Sequence, residues 1–377
     1  MKKTLALILV LPFLFVPFTG AAAGPETNAA ACILMEKESG TVLFEQNSHQ
    51  KLEPASVTKV MTLLLIMEAL DEGRIKKDDM VTTSTNAAGM GGSQVFLKEG
   101  EQMTVHDMLK AICVASGNDA SVAMAEHLYG SEAAFVEQMN KKAAQLGMKD
   151  TTFQNCTGLP AEGHMTSAHD IALMSRELIL KHPAIKEYTT IWMDTLRGGA
   201  FQLANTNKLI YYYSGATGLK TGSTDKALYC LSATAQRDNM ELIAVVLGSP
   251  TSVLRFETAK NLLNYGFANY TMQEIKPSEA IPPVVVNLGK VSTVQPVPAN
   301  ESRILMDKSK VSNMRTSITV VENVTAPVEK GQKLGEMVVY LDDQPFQTIP
   351  LIASEEIPRL GFFQVYRHLL DILFLNA

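Results

Sequence analysis

The sequence predicts an α+β protein with three successive parts. Strand-like runs stand at both ends of residues 24–273, with helical patterns between them, so we expect one antiparallel sheet with helices packed on it. Short β-rich runs separated by turns fill residues 276–354, which indicates a small all-β sandwich. Residues 355–377 carry one broad apolar face, which is typical of an amphipathic helix.

The first 23 residues have the pattern of an export signal. Lys2 and Lys3 precede an apolar run at residues 5–18, and residues 21–23 offer the small side chains that a signal peptidase accepts. The run is shorter than the ~20 residues that a helix needs to span a bilayer. We therefore expect an exported protein from which residues 1–23 are cleaved, with a retained membrane anchor as the alternative.

Charge and cysteine content limit the possible partners. The formal net charge of −6 gives the chain no electrostatic reason to bind nucleic acid. The cysteines are widely separated and form neither a CxxC pair nor a metal-type spacing, so we expect no metal and no cofactor. We expect buried thiols, with a disulfide as the alternative that export leaves open. The four cysteines are Cys32, Cys113, Cys156 and Cys230.

The first part begins and ends with predicted strands. Residues 31–45 form a predicted hairpin, and a long helical pattern begins after Pro54 and stops near Gly73. We expect the first and last strands of this part to pair within the sheet. Further helices are predicted at 104–115, 119–128, 131–146, 167–181 and 251–266, and further strands at 227–235 and 240–248.

The two later parts differ sharply in pattern. The β-rich runs of the second part are 284–287, 292–297, 303–306, 316–321, 337–341 and 346–352. In the tail, the polar residues Gln364, Arg367, His368 and Asp371 fall within one stripe about 100° wide on a helix, and the remaining surface is apolar. We expect this helix to lie in a membrane interface, with docking on its own domain as the alternative.

Three short motifs carry candidate chemistry. In the first, Ser56 and Lys59 stand three residues apart at the start of the long helix, so they share one face. A serine hydroxyl is a weak nucleophile without a base beside it, and a lysine is such a base when burial and a nearby cation lower its pKa. Taken alone, this S-x-x-K pattern also fits an N-capping serine followed by a solvated lysine.

The other two motifs follow in order. Ser116-Gly117-Asn118 offers a hydroxyl and an amide, which suit proton relay and the binding of a carbonyl. Lys220-Thr221-Gly222 precedes the predicted strand 227–235 and sets a cation and a hydroxyl beside a glycine, which indicates a carboxylate site on an edge strand. Each of these two motifs, taken alone, also fits a turn. Together they form the set found in penicillin-binding proteins and class A β-lactamases.

At these motifs the chain resembles low-molecular-mass penicillin-binding proteins of the D-alanyl-D-alanine carboxypeptidase family. Residues 54–62, 116–120 and 218–226 are similar to its three signatures. That family also has a signal peptide, a C-terminal β-domain and an amphipathic membrane anchor. The resemblance implies a penicillin-recognising, β-lactamase-like first domain, peptidoglycan stem peptides ending in D-Ala-D-Ala as substrates, and β-lactam antibiotics as covalent inhibitors.

The resemblance also implies a role for each motif residue. The serine of the first motif would attack the carbonyl of the penultimate D-Ala, with its lysine as general base. The serine of the second motif and the lysine of the third would pass a proton to the leaving D-Ala and later activate water. The backbone N–H groups of Ser56 and Ser223 would form an oxyanion hole. The implied catalytic residues are Ser56, Lys59 and Ser116, and the implied substrate-binding residues are Asn118, Lys220, Thr221, Gly222 and Ser223.

Two residues depart from the family pattern. Cys156 and Leu228 stand where the family pattern has proline and glycine, and we expect neither to touch the chemistry.

A class A-like β-lactamase is the rival enzyme. It carries an E-x-x-x-N arrangement between the second and third motifs, whereas residues 257–261 match that spacing after the third. A catalytically silent wall-binding protein would not need the intact motifs. We expect His164 and His169 to be structural or surface residues and not the base for the serine, since no G-x-S-x-G elbow surrounds it.

Overall fold

The computed structural model describes residues 24–299 and 303–375, so the predicted signal sequence lies outside the described residues. The first part combines helices and strands in the predicted alternation. Its elements are β1 (Ala31–Glu36), β2 (Val42–Gln46), α1 (Lys59–Asp71), β3 (Met80–Thr82), α2 (Thr85–Ala88), β4 (Gln102–Thr104), α3 (Val105–Val114), α4 (Asn118–Tyr129), α5 (Glu132–Gln145), α6 (Ala168–Lys181), α7 (Lys186–Thr189), β5 (Met193–Leu196), β6 (Phe201–Ala204), α8 (Leu209–Tyr212), β7 (Ala216–Thr224), β8 (Leu228–Arg237), β9 (Met240–Ser249) and α9 (Ser252–Asn269).

The central sheet has five antiparallel strands in the order β2-β1-β9-β8-β7. Strand β1 pairs with β9 from Ala31 opposite Leu247 to Glu36 opposite Leu242, so the first and last strands meet as predicted. Alternate residues of a strand face opposite sides of a sheet. Ile33 accordingly packs in the core under α1 and α6, while Leu34 packs in the core under α9. The sheet therefore lies between two helical layers, with α9 and the short α8 on one side.

Helix α1 runs through the middle of the larger core. Its residues from Lys59 to Met67 are all buried, because other helices and the sheet surround it. A helix that is apolar on every side is typical of such a central position. The sequence predicted one continuous helix after Pro54, whereas a 3-10 turn, Ala55–Thr58, comes first and α1 begins at Lys59. The nucleophile candidate Ser56 is thus held in a turn at the helix entrance.

The second part is an all-β unit, as predicted. A parallel pair, β11 and β16, joins β12 in a three-stranded sheet, and an antiparallel sheet has the order β13-β18-β17-β15. Two apolar clusters form its core, one around Val284 and Leu334 and the other around Met337 and Leu351. The strands are β10 (Tyr270–Glu274), β11 (Val284–Asn287), β12 (Thr293–Val294), β13 (Pro296–Pro298), β14 (Arg303–Asp307), β15 (Met314–Val320), β16 (Asn323–Thr325), β17 (Lys333–Leu341) and β18 (Gln344–Ala353).

The tail forms helix α10, Phe362–Leu375. Ile357 is buried in the β-unit and pairs with Val328, so the chain stays attached to that unit until just before the helix. Phe362 and Phe363 are then 81% and 83% exposed, which leaves this end of the apolar face uncovered. Among the described residues, no helix is long and apolar enough to cross a membrane.

Candidate active site

The first motif is assembled as its spacing predicts. The Lys59 side-chain nitrogen lies at hydrogen-bond distance from Ser56 Oγ, 3.0 Å, and the lysine is completely buried. Two further acceptors fix the same nitrogen, the Asn118 Oδ1 at 2.6 Å and the Thr157 carbonyl at 2.7 Å. The S-x-x-K pattern therefore belongs to a half-buried serine paired with a buried lysine, and the alternative of a solvated lysine is wrong.

The electrostatics of this pair favour a neutral lysine. Burial is the largest cause, and the nearby Lys220 cation adds to it, so the pKa of Lys59 lies well below its usual range. A neutral amine has a lone pair that accepts a proton from a hydroxyl in contact with it. The Ser56–Lys59 pair is thus suited to nucleophilic attack by the serine oxygen.

The second motif forms the opposite wall of the site. Asn118 begins α4, its backbone N–H donates to the Ser93 carbonyl at 2.7 Å, and its side-chain amide donates to the Gly91 carbonyl at 2.7 Å. Ser116 has a φ of 63° in the connection from α3 to α4, and its buried Oγ has no hydrogen-bond partner among the described atoms. An unpaired buried hydroxyl is costly, so this serine is kept available for another group.

The third motif lies inside strand β7, at the edge of the sheet. We expected the motif on an edge strand, with a hairpin turn as the alternative, and it does lie on an edge strand; the sequence pattern did not reveal β7 as a strand separate from the one expected at 227–235. The glycines and polar residues of β7 weaken the alternating pattern by which a strand is recognised. Glycine within a strand also marks points where another backbone comes close. Thr221 Oγ1 donates to Thr206 Oγ1 at 2.7 Å, while burial lowers the pKa of Lys220 to about 7. Ser223 follows with an exposed side chain.

Two glycines allow the nucleophile turn to pack tightly. A Cβ at Gly222 would lie 2.9 Å from the backbone nitrogen of Ser56, and a Cβ at Gly158 would lie 1.8 Å from the Ala55 carbonyl oxygen. Contacts below 3.0 Å are not tolerated by real Cβ atoms. Strand β7 and the segment around Gly158 therefore hold the turn that bears Ser56 from two sides. This packing brings the third motif against the first.

Sequence reasoning missed two buried charged residues that support the motifs. Arg255, on α9, donates from one guanidinium nitrogen to the carbonyls of Gly222 and Cys230, at 3.2 Å each. Asp119 accepts from the backbone N–H groups of Val95 and Leu97, each at 3.0 Å. Asp119 lies within the signature 116–120, directly after Asn118, and this position could have indicated its supporting role. Arg255 is 33 residues beyond Gly222, and only the fold brings the two together.

The histidines do not act as the base for Ser56. His164 is buried, accepts from the Gln154 N–H at Nδ1 and contacts Thr58 Oγ1 through Nε2 at 2.8 Å. Burial lowers its pKa to about 4, so it is a neutral structural residue. His169 stacks on His49 with ring centroids 4.4 Å apart. Both therefore have structural roles, as predicted.

The described residues hold no group of three or more histidine, cysteine, aspartate or glutamate side chains that could bind a metal ion. The four cysteines, all within the described ranges, are free and buried, which agrees with the prediction of buried thiols. Glu257 is exposed on α9, beside Lys260 in a surface pocket that lies apart from the motifs. It is therefore not placed as the deacylating glutamate of a β-lactamase.

One of the two departures lies close to the chemistry. Cys156 directly precedes Thr157, whose carbonyl binds Lys59, and its own carbonyl accepts from Thr62 at 2.7 Å. Cys156 itself bonds to Thr62, and it is the neighbouring Thr157 that reaches Lys59, so the expectation that Cys156 does not touch the chemistry is not contradicted. Leu228, at the start of β8, has a φ of 54° and is 41% exposed, which explains why a glycine would suit this position.

The fold and the site together define an enzyme that transfers an acyl group through a serine. Comparison with known proteins specifies the family. The sequence profile described as D-alanyl-D-alanine carboxypeptidase matches residues 19–251, and the profile described as penicillin-binding protein 5, C-terminal domain, matches residues 271–359. The chain therefore belongs to the D-alanyl-D-alanine carboxypeptidase family and is a serine-type carboxypeptidase, which confirms the predicted family, fold class and enzyme class.

Individual relatives agree with this assignment. The chain is 45% identical to D-alanyl-D-alanine carboxypeptidase DacF of Bacillus subtilis over 340 residues, which cover 89% of the chain and 87% of that protein. It is 36% identical to DacC of Escherichia coli over 93% of the chain and 90% of that protein. Penicillin-binding protein 5 from Haemophilus influenzae has a similar structure, with a TM-score of 0.74, 33% identity, and coverage of 89% of this chain and 99% of that one.

Proposed function

We propose that the enzyme removes the terminal D-Ala from peptidoglycan stem pentapeptides through an acyl-enzyme on Ser56. The observation that carries this proposal is the 3.0 Å contact between the Lys59 nitrogen and Ser56 Oγ inside a buried site. The direction of the Lys59 pKa shift supports the same assignment, since a neutral lysine is a base at moderate pH.

Acylation begins when Lys59 accepts the Ser56 hydroxyl proton. The serine oxygen attacks the carbonyl carbon of the penultimate D-Ala and forms an ester as the peptide bond breaks. The departing nitrogen of the terminal D-Ala takes up a proton that Ser116 and Lys220 help to relay from Lys59, so that Lys59 is again a neutral amine. The unpaired buried hydroxyl of Ser116 supports this role, because it is free to donate to the leaving nitrogen.

Deacylation reverses the proton movement. With the help of Ser116 and Lys220, a water molecule loses a proton to the neutral Lys59 amine as its oxygen attacks the ester carbonyl. The bond to Ser56 Oγ breaks, the serine recovers a proton, and the shortened peptide leaves with a free carboxylate. An acceptor amine in place of water would give transpeptidation by the same steps, so access to the acyl-enzyme decides the product.

Substrate binding is assigned to the second and third motifs. Lys220 and Thr221 hold the terminal carboxylate, since a buried cation and a hydroxyl suit an anion that is removed from water. Asn118 orients the peptide with the amide that also contacts Lys59. The N–H groups of Ser56 and Ser223 stabilise the oxyanion, and a donor of this type typically contributes about 3 kcal/mol. Gly222 permits the close approach of the two segments.

β-Lactam antibiotics are proposed as covalent inhibitors that acylate the same serine. The solved structures similar to this chain include penicillin-binding protein D2 from Listeria monocytogenes in its ampicillin-bound form, at 33% identity and a TM-score of 0.59. A strained lactam carbonyl offers Ser56 the same electrophile as a peptide, while its attached carboxylate matches the proposed site at Lys220. We expect no metal or other cofactor to take part.

We further propose where the enzyme works. Residues 1–23 would direct export and be cleaved, residues 24–273 would form the catalytic domain, residues 276–354 the β-sandwich domain, and residues 355–377 a membrane-anchoring tail. The exposed aromatic side chains at the start of α10 support contact with a lipid surface. The enzyme would then act at the outer face of the cytoplasmic membrane, beside the cell wall.

A direct test follows D-Ala release from diacetyl-L-Lys-D-Ala-D-Ala by the wild-type enzyme and by the Ser56→Ala variant. We expect steady release by the wild type and none by the variant, whose fold is checked by its melting temperature. Release by the variant at the wild-type rate would contradict the serine mechanism. Failure of the folded wild type to release any D-Ala would contradict the proposed substrate.

A further inference from the structure

An aromatic pair, the exposed Phe96 and the partly buried Phe201, has no role in the proposed chemistry. Phe96 is 66% exposed, and its ring lies edge-on to Phe201 with centroids 6.2 Å apart. Phe96 also has a φ of 57°, a conformation that bulky side chains rarely adopt. Strained residues held in place by their surroundings are concentrated at ligand sites. The strain and the exposure therefore call for a functional explanation.

Buried charge holds Phe96 in this conformation. The Asp119 carboxylate accepts from the backbone N–H groups on both sides of Phe96, those of Val95 and Leu97. From outside, Arg197 donates to the carbonyls of Val95 and Phe96, at 3.0 Å and 3.3 Å. The backbone around Phe96 is thus held between the Asp119 carboxylate and the Arg197 guanidinium. The backbone that carries the exposed ring is therefore held in place.

The pair connects the two walls of the active site. The segment that carries Phe96 receives the backbone N–H of Asn118 at the Ser93 carbonyl. The segment that carries Phe201 continues to Thr206, which bonds to Thr221 through its hydroxyl. The Thr206 N–H also donates to the carbonyl of Val114, at the end of α3 just before the second motif. Both rings therefore lie on segments that hydrogen-bond to proposed substrate-binding residues, Asn118 in one case and Thr221 in the other.

We propose that Phe96 and Phe201 form an apolar lip that binds the side chain of the stem-peptide residue preceding D-Ala-D-Ala, and that Phe96 is a specificity-determining residue. This inference rests on the proposed function. The terminal carboxylate is assigned to the polar surroundings of Lys220 and Thr221, whereas Phe96 is tied to Asn118, which orients the peptide. An aromatic face suits the methylene chain of a long diamino acid, whose amino end stays in water.

The test compares two substrates that differ only at this residue, diacetyl-L-Lys-D-Ala-D-Ala and acetyl-Gly-D-Ala-D-Ala. For Phe96→Ala we expect kcat/KM on the lysine peptide to fall about tenfold, since burial of roughly two methylene groups is lost. On the glycine peptide the change should stay below about twofold, because no side chain reaches the lip. Phe96→Tyr should restore most of the preference.

The matched control is Phe346→Ala, which removes a half-exposed phenylalanine from β18 in the β-unit. It should leave both rates unchanged. If Phe96→Ala had a normal melting temperature and lost kcat/KM equally on both peptides, the inference would be overturned. The same holds if neither value of kcat/KM changed. Failure of the wild type to hydrolyse either peptide would instead contradict the proposed function, and the lip with it.

Discussion

Gly222 lies against Ser56 so closely that a side chain at position 222 would come within 2.9 Å of the Ser56 backbone nitrogen. The same Cβ would meet the Pro54 carbonyl oxygen at 2.9 Å. Both contacts are with backbone, which cannot rotate away as a flexible side chain would. The edge strand and the nucleophile turn are therefore fitted to each other, and their separation sets the geometry around the serine.

Gly222→Ala should consequently impair catalysis. The added methyl group pushes β7 away from the turn, and displacement by about 1 Å at a reacting centre costs on the order of 100-fold in rate. We expect a loss of this size in kcat/KM for D-Ala release. Gly361→Ala is the control, because its Cβ would be 3.6 Å from the nearest atom. Wild-type activity of Gly222→Ala would contradict the tight packing.

Lys220→Ala should discriminate between substrate termini. A charge-assisted hydrogen bond contributes roughly 1.5–3 kcal/mol, so kcat/KM for a free terminal carboxylate should fall about 10- to 100-fold. The same peptide with an amidated terminus should be affected much less. Lys226→Ala, which removes an exposed lysine near the β7–β8 turn, serves as the control. An equal fall for both termini would contradict the carboxylate role of Lys220.

His164 should make the protein sensitive to acid. Its pKa is lowered to about 4 in the fold from an ordinary value of 6.5, so between these values the unfolded chain binds more protons. Stability is therefore lost as the pH falls from 6.5 towards 4, by about 3 kcal/mol at most. Urea unfolding across this range should show a smaller loss for His164→Gln than for the wild type. The exposed His127→Gln variant should behave like the wild type.

If His164→Gln lost as much stability as the wild type over that pH range, another group would be responsible for the acid sensitivity. The comparison uses the change in unfolding free energy with pH within each protein. A uniform destabilisation by the substitution therefore does not obscure the result.

The tail should bind lipid through apolar contact. Each large apolar side chain that is buried contributes about 1.5–3 kcal/mol before losses, and α10 begins with two exposed phenylalanines. Full-length protein should float with liposomes at low and at high salt, whereas truncation after Gly361 should abolish flotation and preserve D-Ala release. Truncation at this point keeps Ile357 in the β-unit core. Equal flotation of both proteins, or release by salt alone, would contradict an apolar anchor.

Much of the fold followed from local patterns. The contact between Ser56 and Lys59 follows from their spacing of three residues, and the pairing of β1 with β9 follows from predicted strands at the two ends of the domain. Strand β7 was missed because Gly218 and Gly222 interrupt its pattern. Those glycines are required by contacts distant in sequence, and local propensity contains no information about such contacts.

The supporting charges were missed for a related reason. Arg255 reaches the Gly222 carbonyl from α9 on the other side of the sheet, and no spacing rule links two positions that only the tertiary fold brings together. Asp119 was quoted within a signature, yet its hydrogen bonds to residues 95 and 97 depend on how one loop closes over α4. Sequence motifs thus identified the groups proposed to meet the substrate, and the structure identified those that hold them.

The central claim is that Ser56 carries the acyl group. The most direct measurement is the mass of the intact enzyme after exposure to penicillin, followed by digestion and identification of the modified peptide. We expect one added penicillin per chain, located on the peptide that contains Ser56, and no addition to the Ser56→Ala protein. An adduct on a different residue, or labelling that persists in Ser56→Ala, would contradict the account.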